Sequence, residues 1–313
     1  MTTTTDLRSA AAPATETPPP PPRRTSLGSK DARTGFLMIL PALVLVVVFV
    51  VVPLVFAIVI SVTNWPLVGS VDFVGADNYA TAFSDTTFWA SVLYTLGFAV
   101  VSTVLGIVVG YLLAVLVRSN RRGSGLIRTA VFVPYVIGIT SLSFVALLEF
   151  RPDSGALDQV LMAVGLTDAP TAWLLDATSA TTLIVLLGAY VGSGFTMIIL
   201  MSGMQGIDEA LYESAAIDGA GRWKQEFLVT VLLVKRYLGL LSVLGFVGAI
   251  LAFTQFYVIT GGGPGTGTLT VMLYVYNKAF GDLQVGYATA LSFVVVVIAA
   301  VLTLIQFRVM RDD

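Results

Sequence analysis

"FLMILPALVLVVVFVVVPLVFAIVISV", Phe36 to Val62, runs for about 27 residues without one charged side chain. Roughly 20 apolar residues suffice for a helix to cross about 30 Å of hydrocarbon, so the run reads as a membrane span. Five further runs of this kind follow, at roughly 88–117, 129–150, 180–205, 232–257 and 285–308. The whole chain is 56% hydrophobic and only 12% charged, where a soluble domain carries about 25% charged residues. The predicted fold is an all-α integral membrane protein of six transmembrane helices over residues 35–313. In front of them, residues 1–34 form a Thr-, Ala- and Pro-rich tail that is expected to be disordered. That tail is not a signal peptide, because the apolar run behind it exceeds a signal h-region and no small-residue cleavage site follows it.

Composition also excludes chemistry. The chain has no cysteine and no histidine, which removes thiolate and imidazole metal ligands, disulfides and the usual general bases. No catalytic residue, no metal and no cofactor are expected in this chain. A net charge of −2 gives no reason to expect a nucleic-acid partner. The nucleotide-cradling pattern G-x-x-x-x-G-K-[ST] is absent, so ATP is not expected to be hydrolysed here through such a loop.

Lysine and arginine set the orientation. Arg8, Arg23, Arg24, Lys30 and Arg33 precede the first span; Arg118, Arg121, Arg122 and Arg128 flank the loop after the second; Arg222, Lys224, Lys235 and Arg236 surround the start of the fifth; Arg308 and Arg311 end the chain. Only Arg151 and Lys278 of the 17 basic residues fall on the other face. By the positive-inside rule both termini and the basic end are cytoplasmic. The opposite, acidic end holds Trp65, Trp89 and Trp173 where aromatic side chains anchor at the interface.

Between the fourth and fifth apolar runs stands "DEALYESAAIDGAGRWKQEF", Asp208 to Phe227. Asp208 is placed to cap a helix with Glu209 in its first turn, favourable at the positive dipole end. Gly219 and Gly221 then punctuate a bend, where Glu213 and Asp218 are positioned to accept hydrogen bonds. Periodicity alone leaves two readings open, an amphipathic linker lying on the membrane or a helix offered to another subunit.

The segment resembles the E-A-A-x-x-D-G-A signature of the membrane subunits of binding-protein-dependent ABC importers. Glu213, Ala215, Ala216, Asp218, Gly219 and Ala220 match in register, with Ser214 in place of the second residue. A second stretch resembles the carbohydrate-uptake branch of that family, the maltose and glycerol-3-phosphate permeases. It holds the turn Gly261, Gly262, Gly263 and Pro264 after Thr260, then Tyr276, Ala279 and Phe280, and Gly286 to Ala290. The loop "FVGADNY", Phe73 to Tyr79, extends the likeness, which covers most of residues 36–310.

The resemblance implies a bacterial inner-membrane permease for a sugar or related polyol, glycerol phosphate included. It implies a coupling helix near 206–227 that docks on a separate ATPase dimer, where ATP and magnesium are bound. It further implies a second homologous permease subunit and an extracytoplasmic solute-binding protein. Family members carry a proline after the coupling helix, whereas this chain reads "VTVLLV" at Val229–Val234, so the fifth span is expected to run straighter.

A permease needs a wet path, and polar groups inside spans are its candidates. Glu149, Tyr190, Ser193, Gln255 and Tyr257 are the residues of that kind. Each has a plainer alternative: Glu149 lies in the headgroups beside Arg151, and the other four act as interhelical glue. Gly188, Gly192 and Gly194 serve close helix packing on the same plain reading. Against the importer stands a secondary transporter or channel, which calls for ionisable groups deep in the spans. A membrane enzyme or receptor scaffold calls for catalytic side chains or a sizeable soluble domain.

Overall fold

The computed structural model describes residues 29–66, 69–118, 123–151, 155–169 and 171–311. Residues 1–28, most of the predicted tail, lie outside the described residues, as do Arg121 and Arg122. The chain divides into two compact units, residues 1–55 and 56–313. The first, in its described part, is a single helix, which begins at Ser29 and so takes up the last residues assigned to the tail.

We number the helices in chain order: α1 (29–61, with a π-turn at Val47–Val51), α2 (Asp77–Ser84), α3 (Thr86–Val117), α4 (Ser124–Ile137), α5 (Ile139–Glu149), α6 (Ala156–Ala163), α7 (Ala177–Met204), α8 (Glu209–Ile217), α9 (Arg222–Leu233), α10 (Lys235–Ile250), α11 (Thr254–Ile259), α12 (Val271–Tyr276) and α13 (Val285–Arg311). Two isolated antiparallel bridges, Thr63 with Phe73 and Pro66 with Gln284, are the only extended pairings among the described residues. Four helices, α1, α3, α7 and α13, are long and apolar enough to cross a membrane.

The two remaining apolar runs are not the continuous spans predicted from hydropathy. α4 and α5 are bent by 92° to one another, and α9 and α10 by 70°. The first break falls at Gly138, whose φ of 86° and ψ of 154° suit only a residue without a Cβ. The second falls at Val234, with neither proline nor glycine present, and it corrects the expectation of a straighter fifth span. Its cause is tertiary: Val234 is fully buried, while polar side chains of α9 are held by α3, as described below.

Apolar side chains of α3, α7, α10, α11, α12 and α13 close a core around Phe88, Phe98, Ile184, Phe256, Leu273 and Leu291. A smaller cluster at the basic end joins Val117, Leu200 and Met204 to Val234 and Leu241. Close packing uses glycine selectively. A Cβ at Gly194 would lie 2.4 Å from the Val131 carbonyl oxygen, and one at Gly110 2.4 Å from Thr196. Gly188 and Gly192 have nothing within 4 Å of such an atom, so the packing role expected for all three glycines of α7 holds at Gly194 alone.

At the acidic end Asp85 ties three elements together. Its carboxylate caps α3 by accepting from the Phe88 amide at 3.0 Å, and it accepts the phenol protons of Tyr274 on α12 and, at 2.6 Å, of Tyr287 on α13. Burial pushes the carboxyl upward, but the bonds from Tyr274, Tyr287 and the backbone outweigh it and hold the group below 3.8. A depressed carboxylate stabilises the fold above its ordinary value and ceases to do so as pH falls through its folded one, so this tie holds at neutral pH. Asp85→Ala is expected to cost about 2 kcal/mol, a lost cap plus lost charge-assisted bonds. Thermal unfolding in detergent checks this, and Asp85→Asn, which keeps the cap, should recover part of the loss.

Candidate functional site

α8 forms for local reasons. Asp208 caps it by accepting from the Ala210 amide at 3.0 Å. Gly219 ends it at φ +79°, with the Ala220 amide donating to Ala215 O at 2.9 Å and the Gly219 amide to Ala216 O at 3.0 Å. This is the left-handed helix terminator that glycine adopts without strain. The bend is therefore built from backbone. Glu213 and Asp218, expected to accept hydrogen bonds there, make no side-chain bond among the described residues and stand exposed.

No residue of α8 is buried. Glu213, Ala216, Asp218 and Gly219 are exposed and Ala215 and Ala220 half-buried. Apolar groups are also left open, with Ile217 86% exposed and Trp223, just beyond the bend, 75% exposed. An apolar side chain in that position costs free energy unless a further surface covers it.

Residues that the sequence gave no reason to join hold α8 to the bundle. Arg118, at the end of α3, pairs with Glu226 on α9 and donates to Tyr212 Oη and Thr230 Oγ1, both at 3.4 Å. Its guanidinium lies 5.4 Å from the Tyr212 ring centroid, within cation–π range. Tyr212 and Thr230 share a 2.9 Å hydrogen bond, and Tyr111 donates to Glu226 at 3.1 Å. A π-turn at Glu226–Thr230 lets both Glu226 and Thr230 meet the same arginine. Beside this network a cleft of about 1140 Å³ is lined by Arg118, Met204, Tyr212, Trp223 and Glu226.

The expected path residues are not gathered in one place. Glu149 ends α5 and accepts from the Ala156 amide at 3.1 Å, a loop contact, and makes no ion pair with Arg151 among the described residues. Ser193 is buried and donates to Tyr190 O at 2.9 Å, while Tyr190 is 57% exposed. Gln255 and Tyr257 lie on α11, and no hydrogen bond or ring contact joins them to Tyr190 or Ser193 among the described residues. Trp173, read as an interfacial anchor, gives its indole N–H to buried Asp158 at 2.8 Å.

After α11 the chain turns on Gly261 and Gly262, at φ +58° and +92°, passes a cis Gly263–Pro264 bond and turns again at Gly265, at φ +60°. Thr268 closes the loop, its hydroxyl lying 2.6 Å from Gly263 O and 2.8 Å from Thr260 Oγ1. The segment then docks on α3, with the Val271 amide donating to Thr95 Oγ1 at 2.9 Å. In the loop after α1, Asn78 donates to Ser61 O and Thr63 O at 2.9 and 2.8 Å, which gives the "FVGADNY" stretch its structural role.

Comparison with known proteins gives a consistent result. The family model for the binding-protein-dependent transport system inner membrane component matches residues 106–311. The lactose transport system permease protein LacF of Rhizobium radiobacter is 31% identical over 92% of this chain and 98% of that protein. The sn-glycerol-3-phosphate transport system permease protein UgpA of Agrobacterium fabrum is 30% identical over 87% of this chain and 93% of its own length. Among solved structures, a bacterial alginate ABC transporter in complex with its alginate pentasaccharide-bound periplasmic protein superposes with a TM-score of 0.78. That match covers 88% of this chain and 93% of that one at 21% identity, a likeness of fold.

Proposed function

The chain belongs to the family of binding-protein-dependent transport system inner membrane components, and from that premise we propose that it is the permease of an ATP-driven importer of a sugar or related polyol. It is a multi-pass protein of the bacterial plasma membrane. In this reading each bent helix pair makes one span, giving six, with both termini cytoplasmic. α8 is the coupling helix and enters a cleft on a separate ATPase dimer. ATP and its magnesium ion are bound and used there, and this chain holds no cofactor. A second, homologous permease completes the pore, and an extracytoplasmic binding protein delivers the substrate.

The observation that carries this reading is α8 itself, a well-capped helix with no buried residue and with Ile217 and Trp223 open beside it. Mechanism follows from differential affinity. Closure of the ATPase around ATP favours one position of the coupling helix, and the spans tied to that helix change from inward-open to outward-open.

Two measurements test it. The tagged chain should co-purify with an ATPase and a second permease, and vesicles holding that complex should accumulate solute only with ATP. Accumulation driven by an ion gradient without nucleotide would identify a secondary transporter and overturn the proposal. For orientation, single cysteines at Ser70 and Thr171 should react with an impermeant thiol reagent outside intact cells and one at Ser124 should not. The cysteine-free chain makes the background clean, and labelling at Ser124 would reverse the topology.

A further inference from the structure

Four aromatic rings on either side of the glycine-rich loop form one continuous row. Phe253 stacks on Tyr257 with centroids 5.2 Å apart and meets Tyr276 at 5.1 Å; Tyr257 meets Tyr276 at 5.3 Å; Tyr276 meets Phe280 at 5.0 Å. The row stands apart from the core. On the opposite face of α11, Phe256 and Ile259 are buried, whereas Tyr257 is 48% and Phe280 63% exposed and the other two rings are half-buried.

What the open face meets follows from depth. Phe256 packs edge-on against Tyr94 and Phe98 of α3, and the loop end is pinned to Thr95. Thr95 lies nine residues from the start of α3, roughly 14 Å along its axis. α3 has 32 residues, roughly 48 Å, and so overhangs a 30 Å hydrocarbon slab by roughly 18 Å in all. With the overhang shared between its ends, the irregular backbone around residues 251–253 and 260–270 lies within the slab. Irregular backbone at such depth survives only where protein buries it or water reaches it. The core covers one side of this segment, so water covers the other. Gln255 and Asn277, in and beside the row, have no side-chain hydrogen-bond partner among the described residues, as suits a wet surface.

Resting on the importer reading, we infer that Phe253, Tyr257, Tyr276 and Phe280 are the surface along which this subunit passes its substrate, and that the substrate is an uncharged pyranoside. A pyranose ring offers one face of C–H groups, slightly positive, to the negative face of an aromatic ring, and its hydroxyls remain free at the rim. The amides of Gln255 and Asn277 and the phenol groups of both tyrosines supply donors and acceptors for those hydroxyls. Nothing near the row supplies a cation. Lys278, its neighbour in sequence, is held 2.8 Å from the Asp282 carboxylate with its ammonium over the Tyr274 ring. No lysine or arginine stands inside α3, α7 or α11. A phosphorylated or carboxylated solute would shed its water here without a counter-charge.

The test uses the intact complex with its own binding protein. The solute that co-purifies with the binding protein is identified by mass spectrometry, and its ATP-driven uptake is measured in vesicles, normalised to assembled complex. A neutral sugar is expected, with Phe253→Leu and Tyr276→Leu each slowing its uptake at least tenfold and Tyr276→Phe staying within twofold of the parent. Thermal midpoints of the leucine variants should stay within a few degrees of it, which separates loss of contact from loss of packing. A phosphate- or carboxylate-bearing solute overturns the inference, as do leucine variants that transport normally or lose uptake only by failing to assemble. Absence of any ATP-driven uptake by the parent complex would instead refute the importer reading beneath it.

Discussion

Gly219→Pro is expected to reduce ATP-driven uptake by roughly a hundredfold or more while the chain reaches the membrane at its normal level, because proline fixes φ near −65° and has no amide proton. Gly219 stands at φ +79° and its amide donates to Ala216 O, so both requirements fail at once. The damage should be local, since α8 contributes no buried residue and a Cβ at Gly219 meets nothing within 4 Å. Gly219→Ala separates conformation from contact: it keeps the amide and bears only the left-handed penalty of about 1–2 kcal/mol, so reduced but measurable uptake should persist. Glu213→Lys probes the same surface through charge. Its side chain is exposed and unbonded in the single chain, so any loss of ATPase retention arises at the partner. Normal uptake and normal ATPase retention in both Gly219→Pro and Glu213→Lys would remove α8 from the coupling role.

What sequence could and could not reveal divides along physical lines. The second, fourth and sixth apolar runs, read as 88–117, 180–205 and 285–308, appear as Thr86–Val117, Ala177–Met204 and Val285–Arg311, because an uninterrupted apolar helix leaves a signal at every residue. The bends at Gly138 and Val234 leave almost none. Hydropathy is blind to direction, Gly138 is one glycine among many, and Val234 breaks its helix through contacts made from elsewhere. The ends of α8 were legible because a cap and a left-handed terminator are local codes, written in Asp208 and Gly219.

The polar groups behaved differently. Glu149 and Tyr190 were singled out as polar residues in apolar surroundings, a criterion that finds candidates without saying what they meet. Glu149 meets a loop amide. The aromatic row escaped notice because it joins residues 253–257 to 276–280 across the loop that folds them together, although Tyr257 was among the candidates. Arg118 and Glu226 stand 108 positions apart, and in sequence each reads as an ordinary charge near the basic end of a span.

That pair leads to the second large effect. Arg118→Ala is expected to lower ATP-driven uptake at least tenfold per assembled complex, since roughly 3 kcal/mol is typical for leaving one member of a largely buried ion pair alone. Side-chain exposures of 31% for Arg118 and 14% for Glu226 place the pair near the lower end of that range. The loss reaches beyond the pair, because the same guanidinium also holds Tyr212 of α8 and Thr230 of α9. Without it, motion of the coupling helix is no longer tied to α3, so the ATPase should stay bound while its hydrolysis ceases to respond to the loaded binding protein. Arg118→Lys keeps the charge but not the planar fork that reaches three partners, and should fall between. Arg118→Met combined with Glu226→Leu removes both charges together; it should recover stability more than coupling, because Tyr212 remains unheld. This contrast separates a positioning role from a merely structural one. Full recovery of the binding-protein response in the double variant would reduce the network to packing, and unchanged uptake in Arg118→Ala would remove it from the transport cycle.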